Sequence, residues 1–249
     1  EGPFRQVAMH HAIKHPPSGW TIDEAGEGFD ATCAELFGQN PEVAELAWLE
    51  WAMMEVGTAP DSEPLTPQDF AEASASFGEE EWGNLQLIFQ PRSTARLVAH
   101  DLEGLWRALG DEGDERPEPR LPEPQTCLVW REGERPTFIL VEADHADAFS
   151  AMQEGASYGE MIAVLLGDAE PTPEAIQNAA MRAGAILGRW LERPVVNLGF
   201  SGNGELDLEL LFFQSERIQL RLGVARRRVV RLQNGGMTRV EFDEPFLLV

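Results

Sequence analysis

The chain has 249 residues, with 43 acidic side chains against 19 lysines and arginines and a formal net charge of −24. That length supports one large or two small domains with a buried core, and no apolar run reaches the roughly 20 residues a membrane-spanning helix needs. A field of this sign opposes binding to a polyanion, because nucleic-acid affinity rests on cations that release condensed counterions.

The charge is unevenly placed. From Ser201 onward seven acids face seven arginines, so the excess lies in residues 1–200, with 36 acids against 12 bases. The two cysteines, Cys33 and Cys127, are too few and too far apart for a disulfide framework, which fits a reducing cytoplasm. Glu1-Gly-Pro-Phe-Arg5 lacks the basic and apolar regions of a secretory signal, so none is expected.

In chain order, residues 4–14 predict a helix with Phe4, Val7, Ala8 and His11 near helical spacing and Pro16-Pro17 as its stop. Thr21 or Asp23 can cap the next, which carries Phe29, Cys33, Leu36 and Phe37 and ends near Gly38. Pro41 opens a third helix running to about Val56, with Val43, Leu46, Trp48, Leu49 and Met53 inward. Thr66-Pro67-Gln68-Asp69 is an N-terminal signature: a capping threonine, a proline at the first helical position and an acid in the first turn. Residues 79–90 and 94–109 alternate between helical and extended pieces around Phe89-Gln-Pro-Arg92.

Residues 110–124 are dominated by proline, glycine and charge and predict a linker between domains. Beyond it, Thr126–Arg131 and Thr137–Val141 read as strands joined by a turn at 132–136. Three helices follow: 144–154 capped by Asp144, 157–166 opened by a Ser157/Glu160 capping box, and 173–191 with one stripe from Ile176 to Leu191. Residues 204–212 and 217–224 alternate like half-buried strands, and Asn234-Gly235-Gly236 signals a hairpin. The expected fold is therefore α+β: a helical N-terminal domain (1–109), an acidic linker (110–124), a winged-helix-like module (125–200) and a β-rich extension (201–249).

His10-His-Ala-Ile-Lys-His-Pro-Pro17, Glu24-Ala-Gly-Glu-Gly-Phe29 and Leu46-Ala-Trp-Leu-Glu-Trp-Ala52 together resemble the N-terminal domain of the HvfC/BufC family. The segment Phe89–Val98 with Leu102, Leu105 and Trp106 is similar to a further family stretch, and Leu187-Gly-Arg-Trp-Leu191 to the family's usual ending. Gln90 stands where the family has a histidine, so no role tied to that imidazole carries over. The resemblance spans residues 4–110 and 124–192 and leaves 201–249 outside the family pattern.

Some members of that family, once described as DNA-binding, are partners of TIM-barrel iron-dependent oxidases that modify cysteines in small ribosomal peptides. The resemblance implies a chain with no catalytic residue, metal or cofactor of its own, which holds a precursor peptide and docks to such an oxidase. The expected route is strand addition on an exposed sheet edge built from Cys127, Leu128, Val129, Trp130 and Arg131 or from Phe138 and Leu140. Trp48, Trp51, Arg92 and Arg96 are the expected partner interface, since aromatics and arginines concentrate at binding patches. An alternative is a DNA-binding transcriptional regulator that uses the winged-helix-like part and the ribbon Arg226-Arg-Arg-Val-Val-Arg231.

Other residues have plainer readings. His11 and His15 lie four apart and could ligate a metal on one helix face, but no acid or cysteine nearby completes a tetrahedral set. Cys33 sits on an apolar stripe and reads as a small buried hydrophobe. Gly199-Phe-Ser-Gly-Asn-Gly204 leads into a strand rather than a helix, which argues against a phosphate cradle.

Overall fold

The computed structural model describes residues 2–16, 25–110, 119–197, 227–230 and 239–242. The first half contains α1 (Gly2–Lys14), α2 (Phe29–Leu36), α3 (Glu42–Gly57), α4 (Pro67–Ser74), α5 (Glu79–Asn84), β1 (Ile88–Phe89), β2 (Thr94–His100) and α6 (Leu102–Gly110). The second contains β3 (Arg120–Glu132), β4 (Arg135–Val141), α7 (Asp144–Gln153), α8 (Tyr158–Leu166), α9 (Pro173–Glu192), β5 (Val196–Asn197), β6 (Arg227–Val230) and β7 (Arg239–Phe242). The chain is an α+β protein with small antiparallel sheets. Among the described residues no helix is long and apolar enough to cross a membrane.

Local chemistry fixes several helix starts. Thr66 Oγ1 accepts the Asp69 N–H at 3.1 Å, with Pro67 in the first turn of α4. Ser157 Oγ accepts the Glu160 N–H at 3.2 Å while Glu160 Oε2 accepts the Ser157 N–H at 2.7 Å, a reciprocal capping box at α8. Thr172 caps α9 through the Ala175 N–H at 3.2 Å. Asp144 departs from expectation: Ala143 occupies the cap position, and the Asp144 carboxylate instead meets Arg182 at 2.8 Å. Thr21 and Asp23, the strands expected at 204–212 and 217–224, and the 234–236 turn lie outside the described residues. The strands flanking that turn, β6 and β7, pair antiparallel from Arg227↔Phe242 to Val230↔Arg239.

The organising element is the antiparallel sheet β2-β3-β4, with β3 in the middle. Successive side chains on a strand point to opposite faces, so β3 feeds two cores. Cys127 and Val129 join Leu49, Ala52, Val56, Val98 and Leu102 beneath α3 and α6. Leu128 and Trp130 join Phe149, Met152, Met161, Leu187 and Trp190 beneath α7, α8 and α9, together with Leu65 and Phe89 from the first half. A strand covered on both faces reads as a continuous apolar run, which explains the pattern at 126–130.

This pairing corrects the expected domain boundary. β2 precedes the supposed linker and β3 follows it, yet they are in register from Thr94↔Val129 to Val98↔Gln125. The pairing resumes at His100↔Arg120, so residues 121–124 of β3 stand opposite Ala99 alone. Pro122 and Pro124 fall in that bulge, where the interrupted ladder asks for no N–H. On β2 the freed donors are met from α3: Glu45 accepts the Ala99 N–H at 2.9 Å, the His100 N–H at 3.1 Å and lies 3.0 Å from His100 Nδ1. The proline-rich stretch thus ends as a strand, and the described residues on either side of it share a sheet and a core.

A second tie joins the halves. β1 pairs with β5 through Ile88↔Asn197 and Phe89↔Val196, and the Leu65 N–H donates to the Val196 carbonyl at 2.8 Å. Gln90 is buried here: its N–H donates to the Val195 carbonyl and its amide side chain to that of Pro194.

Candidate functional site

The expected docking strand 126–131 is the centre of the sheet, which overturns its reading as an edge. Cys127, Leu128, Val129 and Trp130 are fully buried, and β3 already pairs with a strand on each side. Burial, then the nearby Glu45 carboxylate, pushes the Cys127 thiol up to about 12, so it stays protonated and inert. Arg131 is equally committed: its guanidinium donates to the Ala59 carbonyl at 2.7 Å and the Pro60 carbonyl at 3.1 Å and pairs with Asp61 at 2.8 Å. It holds the segment after α3 against the sheet.

Phe138 and Leu140 belong to β4, which has β3 on one side and no strand on the other among the described residues. Except at its ends, β4 is half-buried. Its outer side opens into a cleft of about 330 Å³ lined by Glu103 of α6, Ile139 and Leu140 of β4, and Arg189, Glu192 and Arg193 around the end of α9. The register puts Phe138 opposite Val129 and Leu140 opposite Cys127, toward α3 and α6, while Ile139 lies opposite Leu128, toward α9. The cleft thus straddles the sheet edge.

Glu103 is the α6 residue that lines the cleft, and the apolar stripe of α6 is a separate face. On α6, Leu102, Leu105, Trp106 and Leu109 form one stripe whose first member is buried and whose last two emerge at 36 % and 69 % exposure. Trp106 meets the Phe138 ring edge-on at 5.9 Å between centroids, and Glu103 is paired with Arg107 at 2.8 Å. On the other wall Arg189 lies 3.5 Å from Glu142, and Arg193 has no ion-pair partner among the described residues. The negative end of α9 favours both guanidinium groups. Sequence reasoning missed Glu103, Ile139, Arg189, Glu192 and Arg193; the available signal was two arginines four apart at the end of a helix in an acid-rich half.

The expected partner interface is engaged within the chain. Arg96 pairs with Asp30 at 2.7 Å and lies 5.5 Å over the Trp48 ring, a cation–π contact. Trp51 packs on the bare Cα of Gly26, where an added Cβ would fall 2.1 Å from the ring. Arg92 adopts a left-handed φ of 61° and donates to Thr58 Oγ1 at 3.1 Å. Trp48 and Arg96 come together; Trp51 and Arg92 each serve another contact.

The histidines do not assemble into a metal centre: among the described residues no three or more His, Cys, Asp or Glu side chains are grouped to hold an ion. His11 Nδ1 lies 2.8 Å from Thr32 Oγ1, and its ring stacks on His15 at 4.8 Å. Burial, then His15, lowers the His11 pKa. Burial likewise lowers that of His145, whose Nδ1 is buried without a hydrogen-bond partner among the described residues and whose ring meets Trp190 edge-on. Cys33 is buried in a small cluster with Val7 and Ala44, and burial, with Asp30 and Glu50, raises its thiol.

Compared with protein-family models, curated proteins and solved structures, the chain matches none.

Proposed function

We propose that the chain is a non-catalytic subunit that holds an extended peptide along the outer edge of β4. The observation that carries this reading is the edge of β4 that has no strand partner among the described residues and opens into a cleft, where an added strand gains backbone hydrogen bonds worth about 0.5–1.5 kcal/mol each. A volume near 330 Å³ accommodates a few side chains, not a large cofactor.

By its resemblance to the HvfC/BufC family, the winged-helix-like grouping of β3, β4 and α7–α9 binds the leader of a ribosomal precursor peptide in a reducing cytoplasm. A TIM-barrel, multinuclear iron oxidase then acts on the presented cysteine-bearing core. The anionic body favours this over the DNA-binding alternative.

The test is amide hydrogen exchange on the full chain, with and without a cysteine-containing peptide encoded beside its gene, followed by co-purification with an adjacent barrel oxidase. Protection confined to 137–141 on peptide addition is the expected result. Protection elsewhere, or retention on duplex DNA that falls steeply with salt, would overturn the reading.

A further inference from the structure

Where β4 ends, one carboxylate oxygen faces two bases. Glu142 Oε2 lies 3.5 Å from Arg189 Nη1 of α9 and 3.5 Å from His145 Nε2 of α7. Both distances exceed the roughly 2.7–3.2 Å of a closed hydrogen bond, so neither base holds the carboxylate fast. The Glu142 side chain is 66 % exposed and has room to turn, whereas that of His145 is 5 % exposed. The other ring nitrogen, Nδ1, is buried without a hydrogen-bond partner among the described residues, so a positive charge on the ring is answered through Nε2. We propose that Glu142 is a counter-charge for which His145 and Arg189 compete. A proton on His145 draws the carboxylate onto the imidazolium and releases the Arg189 guanidinium into the cleft it lines.

Burial is the main cause that keeps the ring neutral, with Asp144 and Glu142 working against it and Arg189 with it. Asp144 is already held by Arg182 of α9 at 2.8 Å. The other elements packed on α7, namely β2, β3 and α8, bring no further charge to the imidazole among the described residues. Glu142 is therefore the carboxylate that can move. An ion pair between two exposed side chains contributes little, while a charge on a buried ring is poorly screened, so the imidazolium wins the contest. Its repulsion of Arg189 acts in the same direction. Above the ordinary histidine value of 6.5 the ring is neutral and Glu142 stays with Arg189; as the pH falls below it, the carboxylate changes sides. The cleft thus gains a freed cation in acid, whatever occupies the β4 edge, and the device does not rest on strand addition.

The test is a pH titration of the full chain by NMR, following the His145 ring and the Arg189 Nε–H group together. The Arg189 signal should step at the His145 midpoint. In His145→Leu that step should vanish, leaving only a later one where Glu142 itself takes up a proton. Arg189→Gln should raise the proton affinity of His145 roughly threefold or more, and Glu142→Gln should lower it by a similar factor. The double variant separates competition from two independent charges. If Glu142 is shared, losing its charge weakens His145 protonation more in the Arg189→Gln background, where no rival holds the carboxylate, than in the parent. Factors that simply multiply, or an Arg189 signal with no step at the His145 midpoint, overturn the proposal. Glu142 and Arg189 have largely exposed side chains, so their variants keep the cycle readable even if His145→Leu fails to fold. No peptide is needed for any of these measurements, so their failure leaves strand addition standing.

Discussion

β3 and β4 are neighbours in one sheet and carry nearly the same signal: Thr126-Cys-Leu-Val-Trp130 and Thr137-Phe-Ile-Leu-Val141 are each a threonine followed by four apolar residues. The first is buried on both faces, whereas the second is half-buried with one side of its backbone facing a cleft. An apolar run therefore does not distinguish a central strand from an edge. The difference comes from β2, which reaches β3 from the far side of a proline-rich stretch.

The sharpest way to break the comparison is Val129→Pro. It removes a ladder donor and a buried side chain from the central strand, and should cost more than about 5 kcal/mol, leaving little folded chain by circular dichroism. Truncation of a cross-strand pair sharpens it. Leu128→Ala should cost about 3 kcal/mol in urea unfolding, and its partner Ile139→Ala about 1, since Ile139 is only half-buried. Equal losses would mean that β4 is as enclosed as β3.

Glu45→Gln probes what keeps β2 in place opposite the bulge. A charged acceptor of two backbone N–H groups becomes neutral, and the melting point should drop by the equivalent of about 2 kcal/mol.

The smallest effect is with pH. Burial depresses His145 and His11, so the folded chain takes up these protons later than the unfolded chain does. Stability is then fully present above the ordinary histidine value of 6.5 and falls as the pH drops below it toward the depressed folded values. His145→Leu should flatten that slope, and an unchanged slope would assign it elsewhere.

What was legible in the sequence was local. The Thr66 and Ser157 caps act within three residues of themselves and appeared where expected, and the α9 stripe, with its clear helical period, is buried from Ala179 to Leu191 but not at Ile176, which is exposed. What was not legible depends on distant partners. Pro122 and Pro124 look like a linker until the bulge opposite Ala99 gives them a place. Arg131 looked available until three oxygens of residues 59–61 claimed it. The cleft brings Glu103 to Arg193 by the path of the chain between them, which no spacing rule encodes.

The tie between β1 and β5 sets a timetable. Gln90 and Pro194 are 104 positions apart, and Leu65 has its backbone partner in Val196. A ribosome moving at about 5–20 residues per second needs some seconds to cover that interval, during which Leu65, Leu87 and Phe89 lack their lining. The emerging chain therefore passes through a sticky stage that only synthesis of its later segment closes, a window in which apolar surface lies open to aggregation.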